Sequence, residues 1–105
     1  MDVDRLLWEM RMPVHLNGYW EFRRACEMCI ENERLLINIS KMLYTAVAEE
    51  FETTPRCVEI NIRRAITAVW KSGNRRLLER IMGEPLSAPP SSAKLFAKLY
   101  YYMRQ

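Results

Sequence analysis

Residues 53–73 read Thr-Thr-Pro-Arg-Cys-Val-Glu-Ile-Asn-Ile-Arg-Arg-Ala-Ile-Thr-Ala-Val-Trp-Lys-Ser-Gly. Val58, Ile62, Ala65, Ile66 and Val69 recur at the three- and four-residue spacing that gathers side chains on one face of an α-helix. Thr54 is a good N-cap, because its hydroxyl accepts from a backbone N–H that has no helical partner. Pro55 fits the first helical position, where no donor is needed. The sequence therefore predicts a helix over about 55–71, ended at Ser72-Gly73, where Gly73 takes the left-handed cap that commonly ends one.

Working outward, Glu52-Thr53-Thr54 is a short polar break. Before it, a helix is expected from near Ile37 to about Phe51, with Ile39, Leu43, Val47 and Phe51 inward. A further helix follows the turn dipeptide Asn17-Gly18 and runs to about Glu31, with Phe22, Cys26, Cys29 and Ile30 on one face. Val3, Leu6, Leu7 and Met10 make a first short helix, which Met12-Pro13 ends because the residue before proline avoids the α region. Downstream, Asn74 is placed to cap a fifth helix carrying Leu77, Leu78, Ile81 and Met82, closed by Gly83. A proline-rich connection from Glu84 to Pro90 leads to a sixth helix from Ser92 to about Arg104. No alternating apolar and polar run is long enough for a strand, so the expected fold is an all-α, six-helix bundle.

The chain has 105 residues, 50% of them hydrophobic, which suits one domain spanning 1–105 with a core of its own. No stretch approaches the roughly 20 apolar residues of a membrane span, and Met1-Asp2-Val3-Asp4 opens acidic, unlike a secretory signal. A cytoplasmic location is the expectation. Residues 1–54 carry ten acids and six bases, whereas 55–105 carry three acids and ten bases. A basic half on a small domain favours a polyanionic partner, although the same excess also describes an ordinary solvated surface.

The third and fourth helices, joined by a short break, have the layout of a helix-turn-helix, whose second helix enters the DNA major groove. At 100° per residue, with Val58 and Ile62 inward, the outward arc of helix four holds Arg56, Ile60, Arg63, Arg64, Thr67 and Lys71, flanked by Cys57 and Glu59. Arginine forks onto guanine or clamps phosphate, glutamate accepts from cytosine, and isoleucine presses on a thymine methyl. Arg75, Arg76 and Arg80 follow and are placed to neutralise phosphates beside the groove. The plainer reading of the same face is a solvated amphipathic helix.

At these residues the chain resembles a known family. Ile39-Ser40-Lys41-Met42-Leu43-Tyr44, Ala48, Thr53-Thr54, Val58-Glu59, Ile62-Arg63, Ala65-Ile66, Trp70 and Gly73-Asn74 are similar to the DNA-binding effector domain of the bacterial sporulation initiation regulator, stage zero sporulation protein A. Pro13 to Tyr19, with Arg23 and Ala25, resembles that domain's lead-in segment, and Ser92 to Leu99 its last helix. The resemblance covers nearly the whole chain. It implies a six-helix bundle that binds a short operator box in promoters and, in the family, follows a phosphorylatable receiver domain. A receiver has no room in this chain, so phosphorylation in cis is not expected.

The resemblance implies that Glu59 and Arg63 stand at the DNA face of the recognition helix, and that Arg64 occupies a place where the family usually has histidine. Two departures matter. Cys57 and Ile60 stand where the family has groove-facing arginines, and a bidentate arginine on guanine is worth about 1–3 kcal/mol of discrimination. Altered or weakened specificity is implied, with Arg56 a partial substitute.

Other chemistries have little to stand on. Cys26-Glu27-Met28-Cys29 is a C-x-x-C in the middle of an apolar helical face, which suits core packing better than redox work. With His15 and Cys57 these thiols lack the second closely spaced ligand pair of a zinc site. His15 is the only histidine and has no recognisable nucleophile partner, so no enzyme is expected. No phosphate-cradling glycine loop occurs, and no cofactor is implied. Phe96, Tyr100, Tyr101 and Tyr102 suit packing or self-association better than base stacking.

Two functions follow as expectations. The first is a sequence-selective duplex-DNA-binding regulator: Arg56, Glu59, Arg63, Arg64 and Thr67 at base edges, Thr53, Thr54, Lys71, Arg75 and Arg76 on phosphates, and Ile60 in the groove face. Two copies on tandem sites are what the resemblance implies. The second is a protein-interaction module of the same fold, which uses Cys57 and an exposed Ile60 to bind a regulator or its own copy.

Overall fold

The computed structural model describes residues 2–104. Six α-helices follow one another: α1 (Val3–Met10), α2 (Asn17–Glu31), α3 (Tyr44–Glu50), α4 (Pro55–Ser72), α5 (Arg75–Met82) and α6 (Ser92–Met103). No strand occurs among the described residues.

Helix α2 is the spine, packing most extensively on α4 and also meeting α1, α3 and α6. Gly18 makes the α2–α4 approach possible: a Cβ there would lie 2.1 Å from the Asn61 carbonyl oxygen. Phe22 and Phe96 meet with ring centroids 4.9 Å apart. Around them Leu6, Leu7, Met10, Leu43, Val47, Val58, Ile62, Ile66, Leu78, Leu95 and Leu99 are buried. Burying one such side chain contributes about 1.5–3 kcal/mol, whereas an exposed ion pair adds about 0–1. The apolar stripes therefore decide the fold. Ion pairs from Arg23 to Asp4 and from Arg24 to Glu50 link α1 and α3 to the spine.

The expected stripes of α1, α4 and α5 are all buried. Cys26 and Cys29 lie in the core, where burial pushes both thiols up, Cys29 to about 12. Phe96 and Tyr100 pack inward while Tyr101 is exposed.

Four local expectations are corrected. Ile30 is exposed, because it sits on the last turn of α2 at the edge of the buried arc. The helix expected from Ile37 instead starts after Asn38, and Ile37 is exposed in a separate 3₁₀ turn, Glu33–Ile37. Two asparagines cause that division: the Asn32 side chain accepts from the Arg34 N–H, and Asn38 from the Lys41 N–H, each at 3.1 Å. A wide π turn, Ile39–Leu43, then leads into α3. Phe51 is the C-cap of α3 and not part of its stripe, so its ring is half exposed. Gly73 is extended (φ −99°, ψ −150°), not left-handed. Its glycine is required by crowding, since a Cβ would lie 2.7 Å from the Met10 carbonyl oxygen and 2.8 Å from Val69 Cα. Beside it, the Asn74 backbone N–H donates to Met10 O and its side chain to Glu9 O, both at 3.0 Å.

Candidate nucleic-acid interface

Helix α3 packs on α4, and the chain turns between them at 51–54, where Glu52 takes a left-handed φ of 54°. Thr54 then starts α4 as expected: its Oγ1 accepts from the Cys57 N–H at 3.1 Å, and Pro55 opens the helix. The first turn carries no acid, so the unpaired N–H groups and the positive end of the helix dipole remain available to an anion. Arg56 stands at that end.

Val58, Ile62, Ala65, Ile66 and Val69 bury one side of α4, which leaves the other to solvent. Arg56, Arg63, Arg64 and Lys71 are exposed along it, over about 22 Å of helix. Only Arg63 of these four is ion-paired among the described residues, to Glu59 one turn earlier. Arg75 and Arg76 continue the cationic surface past the end of α4. Arg75 is held: its guanidinium lies 3.9 Å over the Trp70 ring and its Nε donates to the Trp70 carbonyl at 3.1 Å.

The flanks differ. Glu59, Arg63 and Thr67 line a hollow of about 470 Å³ with Ser40, Tyr44 and the start of α6, Pro89–Ala93. Arg64 faces the other way, into a smaller hollow with His15, Asn17 and Asn61. Thr53 is half-buried beside Phe51 and Glu21, and does not stand next to Arg63. Arg56, Lys71, Arg75 and Arg76 line none of these three hollows.

Ile60 corrects one expectation. It is half-buried, not exposed. Its neighbours one turn away are Arg56, Cys57, Arg63 and Arg64, and long cationic side chains lay their aliphatic stems over such a residue. Cys57 is exposed, and hydrogen bonds with the Thr54 and Thr53 side chains lower its thiol below the ordinary cysteine value.

Sequence reasoning missed Glu21. It is 5% exposed, and the Asn61 side-chain amide donates to both its oxygens at 3.2 and 3.3 Å. Burial raises its carboxyl, an effect the Asn61 hydrogen bond opposes. The signal was present in the spacing, since Gly18, Glu21, Phe22 and Ala25 share the buried face of α2. The approach of Pro89–Ala93 to the Arg63 side of α4 was also unforeseen, because a proline-rich connection has no period to place it.

No helix among the described residues is long and apolar enough to cross a membrane. Nor does any group of three or more His, Cys, Asp or Glu among them suit a metal ion. The family model described as "Sporulation initiation factor Spo0A C terminal" matches residues 3–103. That family is a DNA-binding, transcription-regulating domain and not a family of enzymes. The chain belongs to the family of the C-terminal domain of sporulation initiation factor Spo0A.

Proposed function

We propose that this domain is a sequence-selective reader of duplex DNA in which α3, the turn 51–54 and α4 act as a helix-turn-helix, with α4 in the major groove. The carrying observation is the exposed cationic row Arg56, Arg63, Arg64 and Lys71 on a helix whose opposite side is wholly in the core. Arg56, Glu59, Arg63, Arg64 and Thr67 are assigned to base edges, with Ile60 an apolar contact between them. Thr53, Thr54, Lys71, Arg75 and Arg76 are assigned to phosphates. Held against Trp70, Arg75 loses little side-chain freedom on meeting a phosphate. In this reading the domain works on promoters in the cytoplasm, with two copies on tandem sites. The protein-interaction alternative loses the feature that motivated it, because Ile60 is not an exposed apolar centre.

Fluorescence anisotropy tests the reading, using duplexes selected from random sequence and scrambled controls across a salt series. A steep fall of affinity with salt and a preference of about 1000-fold for the selected site support it. A shallow salt dependence without preference overturns it.

A further inference from the structure

On the α2 side of α4, Asn17, Trp20, Glu21, Phe51, Thr53 and Asn61 line a hollow of about 360 Å³. Its buried wall is the Glu21 carboxylate, whose hydrogen-bond donor is one neutral amide, that of Asn61. No lysine, arginine or histidine nitrogen among the described residues pairs with it. An ionised carboxylate offers about four acceptor positions, so about half of this one's capacity is unused. Trp20 and Phe51, both half exposed, stand at the mouth. The Trp20 indole N–H is spent on the Val14 carbonyl at 3.1 Å, which leaves its ring as the surface offered to a ligand.

We propose that this hollow binds an organic cation, an alkylammonium or guanidinium head, seated against Glu21 between the rings of Trp20 and Phe51. A carboxylate at the back repels anions, and a neutral apolar guest would leave it dehydrated and unpaired. A metal ion would find one carboxylate with only neutral amide and hydroxyl oxygens beside it, and would make no use of the aromatic faces. An organic cation satisfies every wall: its charge meets Glu21, its remaining N–H groups meet the Thr53 hydroxyl and the Asn17 side chain, and its C–H surface meets the aromatic faces. The same chemistry is carried by a free polyamine and by a lysine or arginine side chain of a protein. This inference is argued from the hollow and not from the DNA reading, with which it shares only Thr53.

The test is a titration of the whole chain followed by the NMR signals of the Asn61 side-chain amide and the Trp20 indole. Spermidine, N-acetyl-lysine methylamide and N-acetyl-arginine methylamide are the probes, each against sodium chloride of matched ionic strength. Saturable shifts of both signals are expected, weakened about tenfold or more in Glu21→Gln and more mildly in Phe51→Leu. Phe51→Leu keeps an apolar side chain at a half-exposed position and so remains informative if Glu21→Gln folds poorly. Tighter saturation by spermidine assigns a free polyamine, and tighter saturation by an amino-acid amide assigns a protein side chain. No saturable shift with any probe, or shifts unchanged in both variants, overturns the proposal.

Discussion

Glu59 and Arg63 sit one helical turn apart on the outer side of α4, and the carboxylate of the first holds the guanidinium of the second. An exposed pair of this kind is worth about 0.3–0.5 kcal/mol. A bidentate contact with guanine is worth about 1–3 kcal/mol, so the pair is weak enough to exchange for DNA and only biases where Arg63 rests.

Arg63→Ala is therefore expected to weaken binding to a selected duplex by about 1–3 kcal/mol, a factor of about 5 to 150. Its loss on a scrambled duplex is expected to be much smaller. Anisotropy on both duplexes checks this, and equal losses would remove Arg63 from base reading.

Glu59→Gln frees Arg63 and takes a negative charge from the surface proposed to meet DNA. Affinity for scrambled DNA is expected to rise, and the ratio of selected to scrambled affinity to fall. An unchanged ratio would show that Glu59 contributes nothing to discrimination.

Gly18→Ala places a Cβ 2.1 Å from the Asn61 carbonyl oxygen, which is backbone and yields only by moving α2 off α4. Destabilisation of about 3 kcal/mol or more is expected. Thr54→Ala, which removes only a cap, is expected to cost about 1 kcal/mol. Thermal unfolding followed by circular dichroism ranks the two, and a smaller loss in Gly18→Ala than in Thr54→Ala would refute the close-packing argument.

Glu21 gives stability a pH dependence of definite sign. Burial raises its carboxyl above the ordinary value of 4.5, so the folded state holds the proton more tightly than the unfolded chain does. The cost of the buried charge is absent below the ordinary value and fully present above the raised one. Glu21→Gln is thus expected to be more stable than the parent at pH 7, with the difference shrinking toward pH 4. Asp4 and Glu50, lowered by their hydrogen bonds to Arg23 and Arg24, act in the opposite sense but are common to both proteins and cancel. Denaturant titrations across pH measure the difference, and a gap that widened on acidification would contradict this account.

The three thiols are expected to react unequally. Cys57 is exposed and lowered by the hydroxyls of Thr54 and Thr53, while Cys26 and Cys29 are buried and raised. Brief native-state alkylation read by mass spectrometry should mark Cys57 alone, since the thiolate is the nucleophile. Comparable labelling of Cys26 or Cys29 would mean that the core opens on that timescale.

Helices were legible wherever an apolar stripe and its caps agreed. Thr54-Pro55, Asn74 and the Val58–Val69 stripe gave α4 and α5 their bounds from sequence. Failures came where local hydrogen bonding or tertiary crowding outweighed periodicity. Asn38 interrupts an apolar stretch that reads as continuous helix, and Gly73 is required by Met10, 63 positions away in sequence, and not by its own backbone. The cationic row on α4 was visible because helical spacing alone places it. Two features were not: Arg64 turns toward His15 while Arg63 turns toward α6, and Glu21 meets Asn61 from another helix, so only the packing of α2 on α4 brings them to light.

The chain just past α4 is tied to α1 by the Met10–Asn74 hydrogen bond, and the helix itself is held near its middle by the contact of Gly18 with Asn61. Mechanically that is a beam braced at two points. The N-terminal helix, remote in sequence from α4, is thereby one of the braces that set the angle at which the cationic row is presented.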